Sequence, residues 1–261
     1  MISIITPTYN RAHLLERLYK SLCKQTSMEF EWIVVDDGST DNTKERLSEF
    51  LCGNLDITTY YKENGGKHTA LNIGVELAKY PYVFIVDSDD MLPENSVSVI
   101  VDKINLISKR EDFNKISGVC GLKSFFDGTV VGGGEYHEDM VCNYLDFRYK
   151  LKISGDKAEV FKTDILKNFK FPEFEGEKFC PEALIWNRIA EKYNMFFFYK
   201  NIYFCEYQRG GLTDNIYEIR KKSPKATLTY YKELFLNNRV PFFYRLRGVV
   251  NYIRFFIVTK L

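Results

Sequence analysis

The first half of the chain alternates short apolar runs with segments of helical periodicity. Four apolar runs predict buried strands: 2–6, 30–35, 55–61 and 82–86. Four segments between or after them predict helices: 12–24, 42–50, 67–79 and one that begins near Pro93. Asn42 with Glu45 has the spacing of a capping box. Strands separated by helices of this length predict an α/β fold around one mostly parallel sheet, with both faces covered.

A cluster of polar residues follows each predicted strand. The clusters are Pro-Thr-Tyr-Asn at 7–10, Asp-Asp at 36–37, Asn-Gly-Gly-Lys-His at 64–68 and Asp-Ser-Asp-Asp at 87–90. Open parallel sheets bind ligands outside the carboxyl ends of their strands, and these ends lie on one rim. The pattern therefore predicts a ligand site at that rim. The dinucleotide fingerprint G-x-G-x-x-G and the P-loop pattern are both missing from this region, which disfavours a dehydrogenase or a P-loop NTPase.

Three carboxylates end the fourth predicted strand. Residues two apart in an extended segment point the same way, so Asp87 and Asp89 can converge on one ligand. Two adjacent carboxylates raise each other's pKa unless a cation lies between them. Mg²⁺ or Mn²⁺ suits such oxygen ligands and is commonly held by one or two carboxylates plus phosphates. The trio therefore predicts a metal–diphosphate site, with a simple turn as the alternative.

Four motifs in this order resemble glycosyltransferase family 2, whose enzymes have the GT-A fold. They are Ser-Ile-Ile-Thr-Pro-Thr-Tyr-Asn-Arg at 3–11, Ile-Val-Val-Asp-Asp-Gly-Ser-Thr-Asp at 33–41, Asn-Gly-Gly-Lys-His-Thr-Ala-Leu-Asn-Ile-Gly at 64–74 and Val-Asp-Ser-Asp-Asp at 86–90. The resemblance covers roughly the first hundred residues, and it implies a nucleotide-sugar-dependent enzyme that inverts the sugar's configuration.

The resemblance also implies roles for single residues. Thr6, Pro7 and Tyr9 would line the pocket of a uracil base, and Asp37 would accept a hydrogen bond from the uracil imide. Asp87 and Ser88 would lie near the ribose and the diphosphate, and Asp89, with Asp87, would bind Mn²⁺ or Mg²⁺. Lys67 would approach the nucleotide, since its charge suits phosphate.

Inverting transfer also needs a base for the acceptor hydroxyl. The family often places a Glu-Asp pair at a helix start, where this chain has Pro181 and Glu182. Glu182 is therefore the predicted catalytic base, Glu177 is the fallback, and an ordinary acid at a helix N-terminus is the alternative reading of Glu182. A glycine-bearing loop at 206–213 is expected to close over the diphosphate. The polar cluster 155–159 either lines the sugar or acceptor pocket or forms a solvated turn.

Charge is distributed unevenly. The net charge of the 261-residue chain is +1, which argues against a nucleic-acid partner. Residues 216–261 nevertheless carry ten basic and two acidic side chains, a net of +8 against −7 for the rest. An apolar helical stripe accompanies that charge, at positions 242, 246, 249, 250, 253 and 257. The tail is expected either to bind an anionic membrane surface or to pack this stripe on the catalytic domain.

The remaining features favour a cytoplasmic protein that can also bind the inner face of the membrane peripherally. The N-terminus lacks the pattern of a signal peptide, and the six cysteines read as reduced core thiols. Residues 1–215 are predicted to form a GT-A glycosyltransferase domain, with a nucleotide-binding half at 1–107 and an acceptor-binding half at 108–215. Residues 216–261 are predicted to form a helical extension.

The predicted function is metal-dependent transfer from a nucleoside-diphosphate sugar, a UDP-sugar by preference. The acceptor would be a hydroxyl of a glycan or lipid-linked molecule in bacterial surface polysaccharide synthesis. The alternative is a non-catalytic subunit that binds sugar nucleotides with the same fold.

Overall fold

A computed structural model of the protein describes residues 1–133, 136–206 and 215–259. Its strands are β1 (Ile2–Thr8), β2 (Phe30–Asp36), β3 (Ile57–Tyr61), β4 (Tyr82–Ile85), β5 (Ile116–Phe125), β6 (Met140–Cys142), β7 (Lys157–Lys162) and β8 (Asn194–Cys205). Its helices are α1 (Ala12–Cys23), α2 (Thr43–Phe50), α3 (Lys67–Leu77), α4 (Ser96–Ser108), α5 (Thr163–Asn168), α6 (Glu182–Ala190), α7 (Ile216–Lys222), α8 (Pro224–Leu236) and α9 (Phe242–Val258). The four strands and four helices predicted for the first half are all present.

The eight described strands form one sheet in the order β3-β2-β1-β4-β7-β5-β8-β6. Strands β3, β2, β1 and β4 run parallel, as the sequence pattern predicts. Strand β7 runs antiparallel to both β4 and β5, while β8 is parallel to β5 and β6 is antiparallel to β8. Because β7 adjoins β4 and runs the opposite way, the start of β7 lies at the same rim as the end of β4.

Hydrophobic residues fill both faces of the sheet. One core contains Trp32 and Phe84 and packs under α1 and α4. The other contains Phe161 and Trp186 and packs under α3, α5 and α6. Cys120, Cys180 and Cys205 are buried as expected, whereas Cys23 and Cys52 are exposed, so the expectation of core thiols fails for these two.

The C-terminal helices pack on the second core. Tyr231 and Phe255 are buried in it, and their rings stack at 5.8 Å. The Arg188 guanidinium on α6 donates two hydrogen bonds, of 2.8 and 2.7 Å, to the Glu233 carboxylate on α8. Helix α8 is thereby fixed to the helix that begins at Glu182. None of the helices in the described ranges is long and apolar enough to span a bilayer.

Candidate active site

The buried Asp37 carboxylate organises the loop between β3 and α3. Its Oδ1 accepts hydrogen bonds from the Lys62 ammonium at 2.7 Å and from the Gly65 N–H at 2.9 Å. Its Oδ2 accepts from the Asn64 amide at 3.1 Å and from the Gly66 N–H at 2.7 Å. A carboxylate offers about four acceptor positions. All four are therefore used by this loop, and a uracil imide would have to share or replace the Lys62 ammonium.

The three residues predicted to line the base pocket lie at the end of β1 with different exposures. The buried Thr6 hydroxyl accepts a hydrogen bond from the Trp32 indole N–H at 2.9 Å, so this side chain faces the core. Pro7 is buried on the opposite face of the strand, and Tyr9 is exposed. Tyr9 is thus exposed at the end of β1, whereas Thr6 and Pro7 are buried, and the contact of these residues with a base stays a prediction.

Lys67 joins two parts of the predicted site. It is the first residue of α3, and its Nζ lies 2.6 Å from Asp87 Oδ1 and 2.8 Å from Glu182 Oε1. Burial opposes the charged form, but the Asp87 and Glu182 carboxylates outweigh it and raise the pKa of Lys67 above its ordinary value. The same ammonium holds the pKa of Asp87 below its usual range despite burial, which acts the other way. An ion pair therefore bridges the predicted diphosphate side and the predicted base.

A glycine makes this bridge possible. Gly66 immediately precedes α3 and has φ = 96°, a backbone conformation that L side chains rarely adopt. A Cβ atom there would lie 2.0 Å from the Lys178 carbonyl oxygen, four residues before Glu182. The missing side chain therefore lets the start of α3 approach the segment that leads into α6.

The three aspartates after β4 have different surroundings. The Asp87 N–H donates to the Tyr203 hydroxyl at 2.9 Å, and this hydroxyl donates to Asp90 Oδ2 at 2.7 Å. Burial and then the Asp87 charge raise the pKa of Asp90 to about 7, although the Tyr203 bond acts against them. Ser88 is buried beside them. Asp90 is thus tied to the scaffold.

Asp89 keeps its carboxylate available. Its backbone carbonyl accepts a hydrogen bond from Arg17, whose guanidinium also pairs with Glu206 at 2.9 Å. Apart from its own backbone N–H, its carboxylate has no hydrogen-bond or ion-pair partner among the described residues. Burial and then the neighbouring Asp87 raise the pKa of Asp89. A divalent cation would relieve that repulsion.

A metal ion at this place would need ligands from the substrate. No cluster of three or more His, Cys, Asp or Glu side chains within the described ranges could hold one. One available carboxylate at Asp89 with a second acid beside it fits an ion that a diphosphate helps to hold. Asp87 is engaged by Lys67, so Asp89 is the better placed of the two predicted ligands.

The two predicted base residues differ sharply in availability. Glu182 is the first residue of α6, is about one third exposed, and contacts Lys67. Glu177 is 8% exposed, and its oxygens accept the Lys225 and Ala226 N–H groups at 2.7 and 2.9 Å at the start of α8. Glu177 therefore caps a helix of the C-terminal extension, and the geometry favours Glu182 as the acid that faces the site.

Several charged residues near this rim were not assigned a role from the sequence. They are Arg17, Lys62, Lys123 and Arg148, and no local motif marks them. The Lys123 ammonium lies 4.0 Å from the centre of the Tyr203 ring, and Asp87 helps to raise its pKa against the effect of burial. The predicted glycine-bearing loop falls mostly on residues 207–214, outside the described residues, so its closure stays a prediction.

Comparison with known proteins identifies the class of domain. The family described as Glycosyl transferase family 2 matches residues 3–108. A GalNAc(5)-diNAcBac-PP-undecaprenol beta-1,3-glucosyltransferase of Campylobacter jejuni is 31% identical over 197 residues, which cover 73% of this chain and 60% of that protein. Glycosyltransferase GlyG of Streptococcus pneumoniae is 37% identical over 105 residues, covering 40% of this chain and 35% of that protein.

Solved structures share the fold. Residues 1–349 of S. aureus TarS in complex with UDP-GlcNAc match with a TM-score of 0.70 and 21% identity, over 97% of this chain and 72% of that one. The mannosyltransferase PcManGT from Pyrobaculum calidifontis, in complex with GDP-Man and Mn²⁺, matches with a TM-score of 0.63 and 16% identity, over 98% and 73%.

The chain belongs to glycosyltransferase family 2 through its N-terminal part, and it has the GT-A fold. The family and the fold predicted from the sequence motifs are therefore confirmed. The chain spans 60% of the length of the Campylobacter relative and 35% of the length of the Streptococcus relative.

Proposed function

We propose that the protein is a metal-dependent inverting glycosyltransferase that moves a sugar from a UDP-sugar to a hydroxyl group. One observation carries the proposal: the Lys67 ammonium contacts both Asp87, at the end of the nucleotide-binding strands, and Glu182, at the start of α6. A leaving diphosphate beside Asp87 and a base at Glu182 would then both lie within reach of the transferred sugar. That arrangement suits inversion by a single displacement.

The oxygen of the acceptor hydroxyl would attack the anomeric carbon while the bond between that carbon and the diphosphate breaks. Glu182 would take the proton of that hydroxyl. Lys67 would hold the Glu182 carboxylate in place and stay close to the developing phosphate charge. Asp89, with Asp87 beside it, would hold Mn²⁺ or Mg²⁺. The metal, when bound, neutralises charge on the leaving diphosphate.

Uridine is the proposed nucleoside. Asp37 can accept from the uracil imide when that N–H shares or replaces the contact of the Lys62 ammonium, and Pro7 and Tyr9 bound the place where a base would lie. A carboxylate that faces the N1 edge of adenine meets another acceptor, and a buried acceptor left without a donor costs about 1–3 kcal/mol. The UDP-GlcNAc complex of TarS supports this choice through a shared fold.

The proposed acceptor is a glycan or a lipid-linked saccharide of a bacterial cell surface. The name of the Campylobacter relative describes an acceptor on undecaprenyl diphosphate. Helix α9 adds a second line of support, since it contains three arginines and no acid. We further propose that α9 contacts the anionic inner face of the cytoplasmic membrane, where such an acceptor would lie.

The exposure of α9 favours this contact over the alternative. The helix packs through Gly248 and Phe255, which are buried. Phe242 and Phe243 are 77% and 74% exposed, and Leu246, Val250, Ile253 and Ile257 are also exposed. The apolar stripe predicted from the sequence therefore points away from the catalytic domain.

Binding and hydrolysis together test the proposed reaction. Calorimetry with UDP, GDP and ADP should give a preference for UDP over ADP of roughly five- to 150-fold, from the unpaired-acceptor cost above. Incubation with UDP-sugars and Mn²⁺ but no acceptor should release UDP slowly. Equal affinity for ADP and UDP would contradict the uridine assignment. Tight UDP-sugar binding without any turnover would indicate a non-catalytic subunit.

A further inference from the structure

Glu159 lies between the two halves of the candidate active site. It is in β7, where Val160 pairs with Phe84 of β4, three residues before Asp87. Since β7 runs antiparallel to β4, Glu159 is one residue closer to the site than that pair. The strand therefore carries a carboxylate level with Ile85, the last residue of β4, which lies two residues before Asp87.

The same strand face leads to Glu182. Side chains alternate along β7, so Glu159 shares a face with Phe161. The Phe161 ring packs on Trp186 of α6 with centroids 4.5 Å apart. Along β7, Glu159 lies two residues before Phe161, on the side of the candidate site. Along α6, Glu182 lies one turn before Trp186, also on the side of the candidate site. The Phe161–Trp186 contact thus holds the two acids on one side of the sheet.

Glu159 is an acidic residue whose side chain is partly buried in the sheet. Its carboxylate makes no hydrogen bond or ion pair with any described residue. Burial raises the pKa of Glu159 to about 7, although Lys123 and Arg148 act to lower it. Arg148 is itself held in place, because its guanidinium donates to the Gly155 carbonyl. The two cations lie close enough to stabilise the carboxylate but do not contact it.

We propose that Glu159 binds hydroxyl groups of the sugar that is transferred and so determines which UDP-sugar the enzyme accepts. This inference rests on the proposed function and specifies its donor. A sugar between the diphosphate at Asp87 and the base at Glu182 lies over β7. A carboxylate accepts two adjacent hydroxyl donors. Glu159 is thus a specificity-determining residue and not a catalytic one.

Affinity for UDP-sugars relative to UDP tests the assignment. Calorimetry would compare wild type, Glu159→Gln and Glu159→Asp, with UDP and with UDP-glucose, UDP-galactose, UDP-GlcNAc and UDP-GalNAc. Asp164→Asn is the matched control, since it removes an exposed carboxylate in the first turn of α5, beyond the opposite end of β7. Loss of a hydrogen bond to a charged partner should weaken the best UDP-sugar by roughly ten- to a hundredfold in Glu159→Gln, with UDP unchanged. Melting temperatures would verify that each variant is folded.

The possible outcomes distinguish a wrong role for Glu159 from a wrong proposed function. Unchanged UDP-sugar affinity in both Glu159 variants, or an equal loss for UDP and UDP-sugars, would overturn the role of Glu159 and leave the proposed function intact. The same holds if wild-type protein binds UDP-sugars no more tightly than UDP. Should wild-type protein bind neither UDP nor UDP-sugars, the proposed function itself would fail, and the inference with it. A folded Glu159→Asp variant keeps the test decisive if Glu159→Gln does not fold.

Discussion

Single residues set the charge balance of the candidate active site. The Lys67 ammonium neutralises part of the charge of Asp87 and Glu182, so these acids can lie close together before any substrate binds. Asp90, the third acid of the trio, is instead bound to Tyr203 and the Glu206 N–H. Of the four carboxylates at positions 87, 89, 90 and 182, three already contact other protein groups. The Asp89 carboxylate contacts no other described residue and is left to act on a ligand.

Glu182→Gln should abolish most of the sugar transfer. The amide cannot take the acceptor proton, so turnover should fall roughly 10²–10⁴-fold, the usual contribution of a general base. UDP affinity should be retained, because Lys67 keeps its contact with Asp87. Steady-state kinetics and calorimetry would measure the two quantities. The exposed Glu175 offers a matched control as Glu175→Gln, and normal turnover in Glu182→Gln would move the base to another residue.

At the scale of elements, two helix starts and one helix face matter most. The starts of α3 and α6 approach each other through Gly66, and this approach brings Lys67 to Glu182. The start of α8 is capped by Glu177, which links the C-terminal extension to the loop before α6. Helix α9 packs on α8 and leaves its other face, with the stripe defined above, exposed.

Vesicle co-sedimentation tests the exposed face of α9. The full chain should pellet with vesicles that contain phosphatidylglycerol and bind neutral phosphatidylcholine vesicles weakly. Binding should weaken at high salt without vanishing, because charge attraction is screened and apolar insertion is not. Arg247→Gln should weaken binding about fivefold, since a basic residue near an anionic surface contributes about 1 kcal/mol.

The control variants separate membrane insertion of α9 from non-specific hydrophobic adsorption to vesicles. The double variant Phe242→Ser, Phe243→Ser should lose the salt-resistant part of binding, whereas Leu51→Ser, at an exposed site on another surface, should not. A wild-type chain that fails to pellet, or that pellets equally with neutral vesicles, would rule out the lipid contact. A concentration-dependent dimer lost in the double variant would assign the stripe to a second copy.

At the scale of the whole molecule, ligand binding should stabilise the fold in a coupled way. A ligand that binds the native state stabilises it by RT ln(1 + [L]/Kd). Since protein ligands for a metal are sparse, Mn²⁺ alone should raise the melting temperature little. Mn²⁺ with UDP should raise it by more than the two separate increments together.

Asp89→Asn should remove the extra increment and leave the effect of UDP alone. Asp102→Asn, which changes an exposed acid on α4, should behave as wild type. Differential scanning fluorimetry over a grid of Mn²⁺ and UDP concentrations measures both. An Asp89→Asn protein with unchanged metal dependence would show that the ion lies elsewhere.

Local patterns predicted the first half of the fold. Apolar runs that end in Pro7, Gly38 or the Gly65–Gly66 pair are properties of short segments, and they specify β1 to β4 and the polar clusters behind them. The helix start at α2 was located, but the proposed capping box was wrong. Asn42 makes no side-chain cap, and Asp41 accepts from the Thr43 N–H at 3.1 Å instead. Acids and amides one residue apart compete for the same donors, so sequence spacing does not choose between them.

The sequence by itself determined the family, the parallel half of the sheet and the rim on which the polar clusters gather. Tertiary structure alone decided which acid faces the site. The sequence preferred Glu182 only for its place at a helix start and kept Glu177 as the fallback, but the N-terminus of α8, about fifty residues away, takes both oxygens of Glu177. It also decided that Lys67 joins Asp87 to Glu182 and that α9 exposes its apolar stripe. These outcomes depend on contacts between distant segments, and no local pattern encodes the partner that a side chain meets after the chain has folded.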